Sequence, residues 1–295
     1  MRGRRIVIAA ALLLHCFAFT LGAQVTQQTL SQPTAQTRQQ LTKALQEYRD
    51  KKDAHGEALT LLQLGVAEAG LGNVDGARSN ILQAVTKMRA QNDAVGAWIA
   101  LIFVAQIEVA LGRAAEAIPH IEKAFAVLNE AKVSPAPLKL ETFMAFGAAS
   151  GFPPQMLQMP DEANAALIKP LMIQYALEPM THDLYGSVLT QVGQLEKAEA
   201  ELKAAAAVSA FSQGMYDFSI ESHFGDLRFR QQRYDEARTH YMKALNAPST
   251  ASILPMADQQ IKAGIYERLA RLETITGHPK EAKRWSGKVT ASRPR

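Results

Sequence analysis

A comb of small residues, repeating about every forty positions, constrains this 295-residue chain more than any other feature. Its first copy is Gly65, Gly72, Ala77 and Ala84. Ala105, Gly112, Ala117 and Ala124 repeat it, and Gly186, Gly193, Ala198 and Ala205 repeat it again. Gly225, Gln232, Ala237, Ala244 and then Ala270, Gly277, Ala282, Val289 continue it with single departures. Small residues at fixed offsets are needed where the two helices of a hairpin approach closely and where one hairpin packs on the next. The pattern therefore predicts an all-α solenoid of about six helix hairpins. No stretch alternates with period two over a useful length, so no sheet is expected.

The offsets G-x6-G-x4-A-x3-(large)-x2-A place Ile81, Ile121, Leu202 and Tyr241 in the large slot, and Arg233-Tyr234-Asp235-Glu236-Ala237 forms the turn into a second helix. Together these residues resemble the tetratricopeptide repeat, in a variety longer than that family's usual 34 residues. The resemblance implies a right-handed α-α superhelix over 38–295, with repeats near 54–91, 94–132, 137–178, 180–212, 214–246 and 257–291. It also implies that the first helix of each pair lines a concave groove that takes a protein or peptide partner. Counting from the comb, the groove positions are Leu59, Leu62 and Val66, then Ile99, Ile102, Phe103 and Val109. Further along they are Asp183, and then His223, Asp226 and Arg230. The groove is thus expected to be apolar in its N-terminal half and charged in its C-terminal half. Leu62 and Val66 stand where the family's carboxylate-gripping clamp carries Lys and Asn, so the sequence departs from that ligand.

The segment Gly96 to Leu111 is apolar nearly all round, broken only by Gln106 and Glu108, and must be buried on more than one side. Either a docked polypeptide covers it, or the chain does so itself through its 24–37 tail or a homodimer contact. The third repeat is irregular: Gly151-Phe152-Pro153-Pro154 interrupts it, and Pro170 falls where a helical Ala is expected. A hinge and a degenerate repeat are both compatible with that pattern.

The first residues read as an export leader, 1–23. Arg2, Arg4 and Arg5 precede an apolar run from Ile6 to Leu21, with Gly22-Ala23 for cleavage. Gln24 to Thr37 reads as a flexible tail, and Arg38 to Lys52 as a capping helix carrying Leu41, Ala44, Leu45 and Tyr48. The single cysteine, Cys16, lies in the leader, and a periplasmic or secreted chain without it relies on packing rather than disulfides. The 32 basic and 28 acidic residues come close to balance once three leader arginines are removed, so no nucleic-acid partner and no stable membrane insertion are expected.

Signals for catalysis are absent. No H-E-x-x-H, G-x-S-x-G or phosphate-cradling glycine loop occurs, so a non-catalytic scaffold without cofactor is expected. The one alternative with chemistry is a ligand or metal site at His182, Asp183, His223 and Asp226; a self-associating solenoid is a third reading. Glu57, Glu68, Glu116 and Glu196 read as solvated helix faces.

Overall fold

A computed structural model describes residues 35–134, 136, 139, 169–170, 173–209, 217–247 and 255–292. The expected leader, most of the 24–37 tail and the irregular part of the third repeat lie outside the described residues. Every described element is helical, and consecutive helices pack as adjacent pairs. The described residues up to Gln174 and those from Tyr175 form two compact units.

The first unit contains α1 (Ala35–Asp50), α2 (Ala54–Gly70), α3 (Val74–Ala90), α4 (Ala94–Ala110) and α5 (Ala114–Val133). A π-helical turn, Ile173–Leu177, leads into α6 (Glu178–Gln191). The second unit continues with α7 (Leu195–Ser209), α8 (Asp217–Arg230), α9 (Tyr234–Asn246), α10 (Pro255–Ile275) and α11 (Pro279–Ser292). The first helix begins at Ala35, inside the segment expected as tail.

One turn design recurs throughout. After α2 the Asn73 amide reaches back to Glu68 O at 2.9 Å, around a left-handed Gly72 (φ 80). This closes the helix in a Schellman motif. The same six-residue bond joins Asp53 to Tyr48, Asp93 to Met88, Arg113 to Glu108, Gln194 to Leu189, Arg233 to Arg228 and His278 to Glu273. For α2, α3 and α4 the residue that ends one turn also caps the next helix. Asp53, Asn73 and Asp93 accept from the amides of Gly56, Gly76 and Gly96 at 2.9, 3.2 and 2.8 Å. Helices of 17 residues joined by three-residue turns therefore give the long repeat. In the first unit the extra length lies in the helices, since the turns between these hairpins are as short as those within them, whereas in the second unit most helices are shorter and the segments between hairpins are longer.

The comb marks where helices touch. A Cβ built on Gly65 would come 2.3 Å from Ile81 Cγ1, on Gly186 2.6 Å from Leu202 Cγ, and on Gly225 2.3 Å from Tyr241 Cε1. Each contact joins a first helix to the large residue of the second helix of its hairpin. Ala77, Ala84, Ala117, Ala124, Ala198, Ala205, Ala237 and Ala244 are fully buried beside them. The helix α4 is buried along almost its whole length, including Trp98, Ile99 and Phe103, each 2 % exposed.

Candidate functional site

The sequence-selected residues divide between the two units, and each set has its own character. In the first unit Leu62, Ile99, Ile102 and Phe103 are 0, 2, 6 and 2 % exposed. They pack as core. They are withdrawn from water, so the apolar surface expected at these four positions is not exposed in this chain. Leu59, Val66 and Val109 remain half-buried. Two of the glutamates expected on solvated faces are also drawn in. Glu57 receives Arg49 Nε at 2.9 Å and Lys87 Nζ at 2.7 Å; the Lys87 hydrogen bond, against the cost of burial and with Arg49's help, holds its carboxyl below the usual range. Glu68 accepts from Asn73 Nδ2 at 2.9 Å, which braces the α2–α3 turn. Glu116 and Glu196 are exposed.

In the second unit the polar positions of α6, α8 and α10 form a connected row. Asp183 on α6 accepts from two α8 residues, His223 Nδ1 at 2.7 Å and the Ser219 hydroxyl. One helical turn further along α8, Asp226 accepts from Tyr241 OH at 2.8 Å and from Arg268 Nε of α10 at 2.8 Å. Burial pulls the His223 pKa down, but the charge of Asp183, its hydrogen bond and the nearby Asp226 outweigh it, so the net shift is upward. Burial likewise pushes Asp226 up, and the Arg268 charge and hydrogen bond, with His223 and Tyr241, hold it below its usual value. The Asp226 charge in turn raises Arg268. The row is half-open: His223, Asp226 and Arg268 side chains are 21, 30 and 38 % exposed, and Arg230 at the end of α8 is exposed.

Three of the four residues of the expected cluster are therefore brought together. The fourth, His182, engages Glu201 of α7, with Nδ1 2.6 Å from Oε2. Among the described residues no group of three His, Cys, Asp or Glu side chains could hold a metal ion. The carboxylates of the row are occupied by cationic and hydroxyl donors, which makes it a self-compensated polar surface rather than an anionic cage.

Several structural ion pairs escaped the sequence reading. Arg228 forks onto Glu199 at 2.8 and 3.1 Å, and that Arg228 contact, aided by Lys203, lowers the Glu199 pKa to about 2. Arg238 forks onto Glu273 at 2.7 and 2.9 Å. Glu108, with a fully buried side chain, lies 2.7 Å from Arg113 and 3.4 Å from Arg78. Their signal was the spacing: such carboxylates fall on the last turns of first helices or the outer faces of second helices, where sequence alone does not separate a solvated charge from a paired one.

The fold and the row define an all-α, helical repeat-like protein. Its fold is similar to the crystal structure of BtubC (BKLC) from P. vanneervenii, with a TM-score of 0.55 at 14 % identity, covering 89 % of this chain and 96 % of that one. No protein-family description matches the chain. No curated protein matches it in sequence either. No helix among the described residues is long and apolar enough to cross a membrane.

Proposed function

We propose that this chain is an exported, non-catalytic scaffold of tetratricopeptide type that binds a polypeptide along the polar first-helix row of its second unit. The observation that carries the reading is the half-open line Asp183–His223–Asp226–Arg268, fixed by ion pairs running from one first helix to the next. Side chains already held in place lose little freedom when a partner arrives, so their hydrogen-bonding capacity is presented preorganised. An extended segment can meet the half-open His223 and Arg268 side chains together with exposed Arg230, all within the second unit. The tetratricopeptide assignment is supported by the contact of each packing glycine with the large residue of its own hairpin and by the repeated three-residue turns. The leader-like 1–23 supports a periplasmic or secreted location.

A site-specific photo-crosslinker tests the reading in the native host compartment. Placed at Arg230 it should trap a discrete polypeptide adduct, and placed at exposed Lys203 of the second helix α7 it should not. Loss of the Arg230 adduct on adding His223→Ala would tie it to the row. Equal adducts at Arg230 and Lys203, or none at Arg230, would refute the assignment.

A further inference from the structure

The last described helix carries a charge pattern that neither the core nor the polar row uses. In α11 the buried residues are Ala282, Trp285 and Val289, which face α10. At 100° per residue the opposite face is centred on Lys280, Gly287 and Ala291, flanked by Lys283, Arg284 and Lys288. All six are exposed. Four cations thus line the outward face over about 12 Å of helix, with small residues between them. The one carboxylate of the helix, Glu281, stands at the edge and meets Arg284 at 3.2 Å. Arg284 and Lys288 lie over the Trp285 ring at 5.4 and 4.8 Å from its centroid, and Lys288 also lies over Tyr266 at 5.2 Å. The aromatic faces are therefore capped by cations of the same stripe.

We infer that the Lys280–Lys283–Arg284–Lys288 face of α11 is a docking surface for the anionic headgroups of a lipid bilayer. Charge complementarity supplies the attraction, and the shape of the stripe selects this occupant. A protein partner needs an apolar or aromatic anchor at the centre of its footprint, and here the centre is Gly287 and Ala291. Single-stranded nucleic acid needs an open ring on which bases stack, and Trp285 is 7 % exposed beneath its cations. A flat basic face without anchors instead matches a diffuse anionic plane, where each Lys or Arg adds its share independently. The apolar residues of α11 are spent on α10, so the helix lies on the surface by charge alone and does not insert.

The test is co-sedimentation of the full chain with vesicles of phosphatidylcholine and of phosphatidylcholine mixed with phosphatidylglycerol. The informative variant is Lys280→Gln/Lys283→Gln, because both lysines are exposed and neither takes part in a hydrogen bond or ion pair among the described residues. The control is Lys43→Gln/Lys123→Gln, which removes the same charge from exposed positions of the first unit. The N-terminal basic and apolar segment is common to all three proteins, so their ratios isolate α11. The partition coefficient onto phosphatidylglycerol vesicles should fall about fivefold per lysine, or about twenty-fivefold for the two, in the α11 variant, and stay within about twofold in the control. Added salt should erase the difference between variant and wild type. Equal partitioning of the α11 variant and wild type, an equal loss in the control, or stronger binding to duplex DNA than to anionic vesicles would each overturn the inference.

Discussion

Gly225→Ala should destabilise this protein although it improves helix propensity, and the size of the effect follows from one contact. Alanine is favoured over glycine inside a helix by about 1 kcal/mol. Against that, the new Cβ would lie 2.3 Å from Tyr241 Cε1 and 2.4 Å from Cδ1, where carbon atoms rest at about 3.5–4 Å. The ring must move by more than an ångström. It cannot do so freely, because Tyr241 is 2 % exposed and its hydroxyl is tied to Asp226 at 2.8 Å. Overpacking costs about 1–3 kcal/mol, and a strained or lost Tyr241 hydrogen bond about 1 kcal/mol more. The net loss is about 1–3 kcal/mol. Gly287→Ala is the matched control: it too sits mid-helix, but its Cβ would meet nothing within 4 Å, so it should stabilise by about 0.5–1 kcal/mol. Urea denaturation followed by far-ultraviolet circular dichroism separates the two signs. The double variant Gly225→Ala/Tyr241→Ile should recover part of the loss, since Ala105 and Ile121 already occupy the equivalent pair and both are fully buried. If Gly225→Ala stabilised as much as Gly287→Ala, the comb would not be a packing device.

Three further outcomes are expected. Gln232 takes the left-handed place (φ 61) that Gly193 and Gly277 fill elsewhere, so Gln232→Gly should gain about 0.5–1 kcal/mol in the same urea experiment. Phe103→Asp puts a carboxylate into a site that is 2 % exposed, and it should cost more than about 3 kcal/mol and abolish the cooperative transition rather than remove a binding activity selectively. In a pH series of melting temperatures, the stabilisation that His223 owes to its raised pKa should be full below its unfolded value near 6.5 and fade as pH rises through the higher folded value. That of Asp226, whose pKa is lowered, should be present above 3.8 and fade as pH falls through the depressed one. The gap between wild type and His223→Gln should therefore narrow on going from mildly acid to alkaline buffer, and a gap that widens would contradict the direction of the shift.

The helices were legible because their signals are local and repeated. The α9 helix spans Tyr234–Asn246 after the Arg233–Ala237 turn residues, and α3 and α5 end at Ala90 and Val133, beside the ends 91 and 132 of the first two repeats. A clearer signal was Asp53-x-x-Gly56, Asn73-x-x-Gly76 and Asp93-x-x-Gly96, which recur every twenty residues and mark the starts of α2, α3 and α4. The polar row was partly legible, because His223 and Asp226 share a helix face with Ser219 and their partners lie about forty residues away, one repeat on either side. The fate of Leu62, Ile99, Ile102 and Phe103 was not. Sequence shows that an all-round apolar helix must be covered, but what covers it depends on how the rest of the chain folds over it. His182 failed for a related reason: only the packing of α6 on α7 decides that it meets Glu201.

Within each unit the repeats are joined by a different balance of apolar and polar contacts, and this sets where each unit should open first. In a stack of repeats, stability is the sum of what each hairpin contributes and what adjoining hairpins gain from one another. In the first unit the gain is apolar and centred on α4, whose side chains are withdrawn from water on all sides. In the second, an apolar cluster including Phe218, Tyr241, Ile265, Leu269 and Trp285 joins two hairpins, and first helices also meet through Asp183–His223 and Asp226–Arg268, which lie 40 and 42 residues apart in sequence. Half-exposed ion pairs of this kind give register and direction but contribute little net stability, because desolvation offsets most of the attraction. Native-state hydrogen exchange should therefore find the amides of α8 protected less strongly than those of α4, by at least about tenfold at neutral pH. Raising the ionic strength should widen that difference, since screening weakens half-exposed pairs and leaves apolar burial intact. If α8 exchanged as slowly as α4, the ion-pair row would be a principal stabiliser, and a surface committed to holding the unit together would be a poor candidate for exchanging its contacts with a polypeptide.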